Sequence, residues 1–124
     1  MNNLQIVPGN KTPAITMDAA GLIEMKGKSI PENTAEFYQP VYEWLDQYAT
    51  TPQPTTRVLI NFEYFNTSSS KCLLDIFRKL EAINNSGKSS VSVTWVYDED
   101  DEDMMETGED YKSMVKLPFN VQAG

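Results

Sequence analysis

Nine consecutive residues, Glu63-Tyr64-Phe65-Asn66-Thr67-Ser68-Ser69-Ser70-Lys71, hold the chemistry most worth placing. They lie where an alternating apolar run gives way to a helical pattern. Asn, Ser and Thr side chains at such a junction accept hydrogen bonds from the free N–H groups of a helix's first turn, so any of them can serve as its cap. The same N–H groups, with the positive end of the helix dipole, suit an anion such as phosphate. A hydroxyl held there is either a cap or a phosphorylation switch, and composition leaves both readings open.

Other chemistries are narrowed by what the chain lacks. Among its 124 residues there is no histidine and one cysteine, Cys72. The commonest general base near neutral pH and the commonest zinc ligand are therefore missing, along with thiolate–imidazole catalysis and any internal disulfide. No cofactor is called for. Cys72 falls in the first turn of a helix, where its thiol pKa could be lowered. With no base beside it, it reads as a small inert side chain.

Asp98 to Asp103 are six successive acids. A calcium loop begun at Asp98 would need glycine at its sixth position and has Asp103, so a solvated or partner-facing acidic surface is expected instead of a metal site. Acids at a helix start are also favoured by the dipole, each by about 0.3–1 kcal/mol. A second acidic pair, Glu109 and Asp110, would support an alternative function, an enzyme or small-molecule binder, if it reached the Thr67–Ser70 hydroxyls.

The net charge of −8 argues against nucleic acid or an anionic membrane as partner. The N-terminus has no signal-peptide pattern, and no apolar run is long enough to span a membrane, so there is no membrane insertion. A soluble cytoplasmic protein is expected. The length suits one domain, 1–124 with a core of about 6–121.

The elements that must carry these residues follow from periodicity. Ala14–Asp18 and Gly21–Gly27 read as strands joined by a turn at Asp18-Ala19-Ala20-Gly21, followed by a loop over Gly27–Asn33. Asn33 or Thr34 begins a helix, with Glu36 placed for a capping box. Phe37, Val41, Trp44, Leu45 and Tyr48 form its stripe, and Pro40 predicts a kink or a second segment. Tyr38 and Tyr42 border that stripe as core, boundary or interface residues. Ala49–Thr56 connects to an alternating strand, Arg57–Phe65, with Val58, Ile60, Phe62 and Tyr64 on one face. Apolar residues on both of its faces predict a central strand covered from two sides.

A helix from Lys71 to about Asn84 follows, then a strand over Val91–Tyr97 with Trp95 on its core face. Next come a helix from about Asp101 to Tyr111 or Ser113, weakened by Gly108, and an edge strand within Met114–Val121. The order β-β-α-β-α-β-α-β predicts an α/β fold with a four- to five-stranded mixed sheet.

Taken together, Thr12-Pro13-Ala14-Ile15, Ser29-Ile30-Pro31-Glu32-Asn33 with Glu36-Phe37-Tyr38, Tyr64 through Lys71, Trp95-Val96-Tyr97-Asp98 with Asp101-Glu102-Asp103-Met104, and Gly108-Glu109-Asp110 resemble the SiaC family of bacterial regulatory phosphoproteins. The resemblance implies a fold like the STAS domains of anti-sigma-factor antagonists. It implies a non-enzymatic adaptor in a partner switch, phosphorylated by a Ser/Thr kinase and dephosphorylated by a PP2C-type phosphatase. Its unphosphorylated form would bind and activate a diguanylate cyclase, raising cyclic-di-GMP. Carried onto this chain, the acceptor is Thr67, with Ser68 as runner-up. Ser69 or Ser70 is then left as the cap, and Tyr64, Asn66, Ser68, Ser69 and Lys71 become partner-binding candidates.

Overall fold

In the computed structural model, which describes all 124 residues, three helices lie on a six-stranded sheet. The strands are β1 (Leu4–Ile6), β2 (Ala14–Asp18), β3 (Leu22–Ser29), β4 (Thr55–Phe65), β5 (Ser90–Tyr97) and β6 (Phe119–Ala123). Between them come α1 (Thr34–Tyr48), α2 (Thr67–Asn85) and α3 (Glu102–Met114). Strand order in the sheet is the order in the chain. β1, β2 and β3 pair antiparallel, while β3 to β6 are all parallel. The expected α/β class and mixed sheet are present. The count differs by one strand, β1, whose three residues are too few to show a period.

Gly21 closes the β2–β3 turn at φ 102° with its N–H donating to the Asp18 carbonyl at 2.8 Å, and a Cβ there would meet the Thr55 carbonyl oxygen at 2.4 Å. Asn33 caps α1, accepting from the Glu36 N–H at 3.1 Å and donating its amide to the Glu36 carboxylate at 3.2 Å. The kink expected at Pro40 does not divide this element, which runs as one helix of fifteen residues.

Each β–α–β connection from β3 onward steps to the adjacent strand. Right-handed crossovers then lay all three helices on one face of the sheet. Ile15, Met25, Ile60 and Trp95 lie in one row across that face, and Met17, Ile23, Val58, Val93 and Phe119 in another. All nine are buried. The other face is open, which corrects the expectation of a strand covered on both sides. Leu59 and Leu22 are 38% and 39% exposed there, beside Glu24 and Arg57. Leu59→Ser is therefore expected to move stability by no more than about 0.5 kcal/mol, read as the urea midpoint.

One irregularity shapes the end of β4. Gly27 pairs with Phe62 but Lys28 pairs with Tyr64, so Glu63 is an extra residue in the ladder. The bulge reverses the alternation beyond it. Tyr64, expected on the core face, points out and is 55% exposed. Phe65 turns in to meet Trp95 edge-on at 6.0 Å.

Candidate functional site

Parallel strands β3, β4 and β5 all end at the same edge of the sheet, and the hydroxyl cluster sits there, on the turn from β4 into α2. The helix starts at Thr67, four residues earlier than periodicity indicates, because its cap is Asn66. The Asn66 side chain accepts from the Ser69 N–H at 2.8 Å, and its own N–H donates to the Ser29 carbonyl at 3.1 Å. This corrects the assignment of the cap to Ser69 or Ser70.

The four hydroxyl residues meet different fates. Ser69 is fully buried. Its Oγ donates to the Ser29 carbonyl at 2.9 Å and lies 2.8 Å from Ser29 Oγ, which is 2.6 Å from the Tyr38 hydroxyl. A carbonyl can only accept, so the proton order of the chain is fixed: Tyr38 donates to Ser29, Ser29 to Ser69, and Ser69 to the Ser29 backbone. Burial also removes Ser69 from the surface on which it was expected.

Ser70 is held in the same manner by α3. The Tyr111 hydroxyl donates to the Ser70 carbonyl at 2.9 Å, which leaves Ser70 Oγ to donate back to it across 2.8 Å. Thr67 and Ser68 are exposed, and neither side chain has a hydrogen-bond partner in the fold. Beside them, a groove of about 450 Å³ runs between the first turns of α1 and α2, lined by Glu32 to Ala35, Ser68, Lys71 and Cys72.

Burial pushes the Tyr38 phenol up to about 12 and raises that of Tyr111 as well. Both stay protonated, and able to donate, throughout the neutral range. A raised phenol favours the folded protein below the unfolded value near 10, and this contribution is lost as pH rises from about 10 to about 12. Tyr38→Phe is expected to cost about 1–2 kcal/mol in urea unfolding near neutral pH, since Ser29 loses a buried donor. It should also flatten the fall in stability over that alkaline window.

Other expected residues take structural positions. Tyr38 is buried in the core, not at an interface. Tyr42 is half-buried, with the Lys79 ammonium 5.7 Å from its ring centroid and 2.6 Å from Asp46, joining α1 to α2. Trp44 stacks on Tyr48 at 4.9 Å. Cys72 is buried. Asp101 caps α3, accepting from the Met104 N–H at 3.0 Å, and Glu102 and Asp103 occupy its first turn. Three of the six acids thus serve the helix start, and no group of three His, Cys, Asp or Glu side chains is arranged to hold a metal ion.

Glu109 and Asp110 lie on the exposed side of α3. It is Tyr111 on the buried side, with Met104 and Gly108, that reaches the hydroxyl cluster. Neither carboxylate makes a side-chain hydrogen bond or ion pair with that cluster. Ser29 and Tyr111 are not singled out by the sequence, and Tyr38 is placed only beside the α1 stripe, with no link to the hydroxyl cluster. Ser29 and Tyr38 stand in short motifs, Ser29-Ile30-Pro31 and Glu36-Phe37-Tyr38, while Tyr111 enters only as a possible end of the last helix.

Comparison with known proteins agrees with this fold. Residues 6–124 match the model of the SiaC family regulatory phosphoproteins. An uncharacterised protein of Pseudomonas aeruginosa is 35% identical over 124 residues, which is 99% of this chain and 98% of that protein. The crystal structure of apo-SiaC from P. aeruginosa superposes with a TM-score of 0.90 at 34% identity, covering 99% of this chain and all of that one. A second crystal structure, of the diguanylate cyclase SiaD in complex with its activator SiaC from the same organism, contains a chain that superposes at 0.91 with 34% identity, over 98% of this chain and 99% of that one.

Proposed function

The chain belongs to the SiaC family of regulatory phosphoproteins, and from that membership we propose that it is a cytoplasmic, non-enzymatic switch whose phosphoacceptor is Thr67. A Ser/Thr kinase adds the phosphoryl group and a PP2C-type phosphatase removes it. The unphosphorylated form binds and activates a diguanylate cyclase, as the SiaC of P. aeruginosa is an activator of SiaD. The contact surface is Thr67 with its exposed neighbours Tyr64, Ser68 and Lys71 and the half-buried Asn66.

One observation narrows the choice, and the motif resemblance makes it. Asn66, Ser69 and Ser70 are each committed to holding the turn, whereas the Thr67 and Ser68 side chains are exposed and have no bond to lose, and of these two the resemblance favours Thr67. A phosphoryl group there adds about −1.5 to −2 charge at a helix N-terminus that tolerates it, so the fold survives. A partner surface shaped for a neutral hydroxyl meets instead a hydrated dianion, and binding fails by sterics and desolvation.

Incubation with the cognate kinase, followed by peptide mapping, tests the acceptor. One phosphoryl group is expected on Thr67, absent from Thr67→Ala and retained in Ser68→Ala. A mark on Ser68, or a fully modified Thr67→Ala protein, would overturn the assignment.

A further inference from the structure

We propose that a phosphoryl group on Thr67 is captured by the Lys71 ammonium of its own helix while the α2 first turn keeps its backbone in place. This deepens the reading of Thr67 as acceptor and rests on it.

The turn has little freedom to rearrange. Asn66 caps it, Ser69 ties it to the end of β3, and Ser70 ties it to α3 through Tyr111. Two of these ties are buried or half-buried hydroxyl contacts across 40 and 41 residues of sequence. The Ser69 N–H, which an anion at the helix start would seek, is already taken by Asn66. Of the first-turn N–H groups only those of Thr67 and Ser68 are left without an intrahelical acceptor, so a countercharge for a phosphoryl on Thr67 has to come from a side chain that is free and near.

Lys71 meets both conditions. It lies four residues on, hence on the same helix face, with the anion on the N-terminal side, which is the favourable order for an i,i+4 pair. It is exposed and forms no ion pair. The other two cations of α2 are committed, Arg78 to Glu81 and Lys79 to Asp46. Around Lys71 the charged groups are Glu32 across the groove and Asp75 one turn further along α2, and neither pairs with it. Lys28, beside Tyr64 in the β3–β4 register, is the other exposed cation at this edge.

The consequence is a surface that changes sign without refolding. Before modification the Thr67 face shows a neutral hydroxyl and a free cation. Afterwards it shows an anion of about −1.5 to −2 that has also withdrawn the cation from any partner. The signal is read directly from the surface and not through movement of α1 or α3.

The test installs phosphothreonine at position 67 during translation, so that it does not depend on a kinase. The ³¹P shift is then titrated in the wild-type background, in Lys71→Met and in Lys28→Met, and amide spectra are compared with the unphosphorylated protein. Lys71→Met is expected to raise the second phosphate pKa by about 0.3 unit, as an i,i+4 pair of about 0.3–0.5 kcal/mol implies. Lys28→Met should leave it unchanged, and amide shifts should stay within about one turn of Thr67. An unchanged midpoint in Lys71→Met, or shifts spreading to Ser29, Tyr38 and Tyr111, overturns the proposal. Kinase mapping fails separately: a mark away from Thr67 rejects the acceptor, while the ³¹P coupling still decides whether Lys71 answers a phosphate placed there.

Discussion

Thr67→Asp is expected to weaken binding to a diguanylate cyclase partner by at least about 100-fold, whereas Thr67→Ala should stay within about tenfold of the wild type. A hundredfold loss is about 2.7 kcal/mol, at the low end of what burying an unpaired charge in an interface costs. The same substitution should not harm the fold. Thr67 is the first residue of α2, the cap is supplied by Asn66, and a carboxylate in a first turn interacts favourably with the helix dipole by about 0.3–1 kcal/mol. Binding and stability therefore move apart. In calorimetric titration Thr67→Asp should show no measurable heat of association, and in urea its midpoint should be equal to the wild type or slightly higher. A variant that lost binding because it had unfolded would show the reverse in urea. A Thr67→Asp protein that is equally stable and still binds would remove Thr67 from the interface.

Gly108→Val should produce the largest loss of stability, about 3 kcal/mol or more, and Gly108→Ala about 1–3 kcal/mol. The sign for alanine is the informative part, because Gly→Ala inside a helix normally stabilises by roughly 1 kcal/mol. At Gly108 an added Cβ would come to 2.5 Å from Cδ1 and 2.8 Å from Nε1 of Trp95. The indole has nowhere to go. It is fully buried, its Nε1 donates to the Met104 carbonyl at 3.1 Å, and Phe65, Phe77, Tyr111 and Phe119 surround it at centroid distances of 5.4 to 6.4 Å. Relief requires α3 to lift from the sheet, which also draws Tyr111 off Ser70. Urea unfolding of the two variants checks this. A Gly108→Ala protein more stable than the wild type would mean that α3 does not approach Trp95 so closely.

Gly108 also marks a boundary between what periodicity conveys and what it does not. From the sequence it is a weak point in a helix. In the fold it is the place where α3 can sit flat on an indole, a fact held by contacts from another element. The same limit applies at the site. Strand β4, helix α2 and the junction between them are legible because alternation and a 3.6-residue period are local properties. The Glu63 bulge is not, because an extra residue in a ladder is decided by how β3 pairs, and it turns Tyr64 outward and Phe65 inward against the simple alternation. Leu59 reads as apolar and therefore covered, yet its exposure follows from the topology that puts every helix on the other face.

The hydroxyl cluster shows the limit most clearly. Asn, Thr and Ser in series announce a helix start, but four adjacent hydroxyls carry no label saying which is spent on the fold. Ser69 is spent because Ser29 arrives at its side from 40 residues away, and Ser70 because Tyr111 arrives from 41. Once these partners are in place, the exposed residues Thr67 and Ser68 remain, and the motif resemblance favours the first of them.

The most direct test of the switch is cyclase turnover. Cyclic-di-GMP production by the partner enzyme is measured with increasing amounts of unphosphorylated protein, and again with protein fully phosphorylated on Thr67. Saturable activation is expected from the first and none from the second up to at least about a hundredfold higher concentration, with activation restored once a phosphatase removes the group. Equal activation by both forms, or activation by the phosphorylated form alone, would contradict the switch.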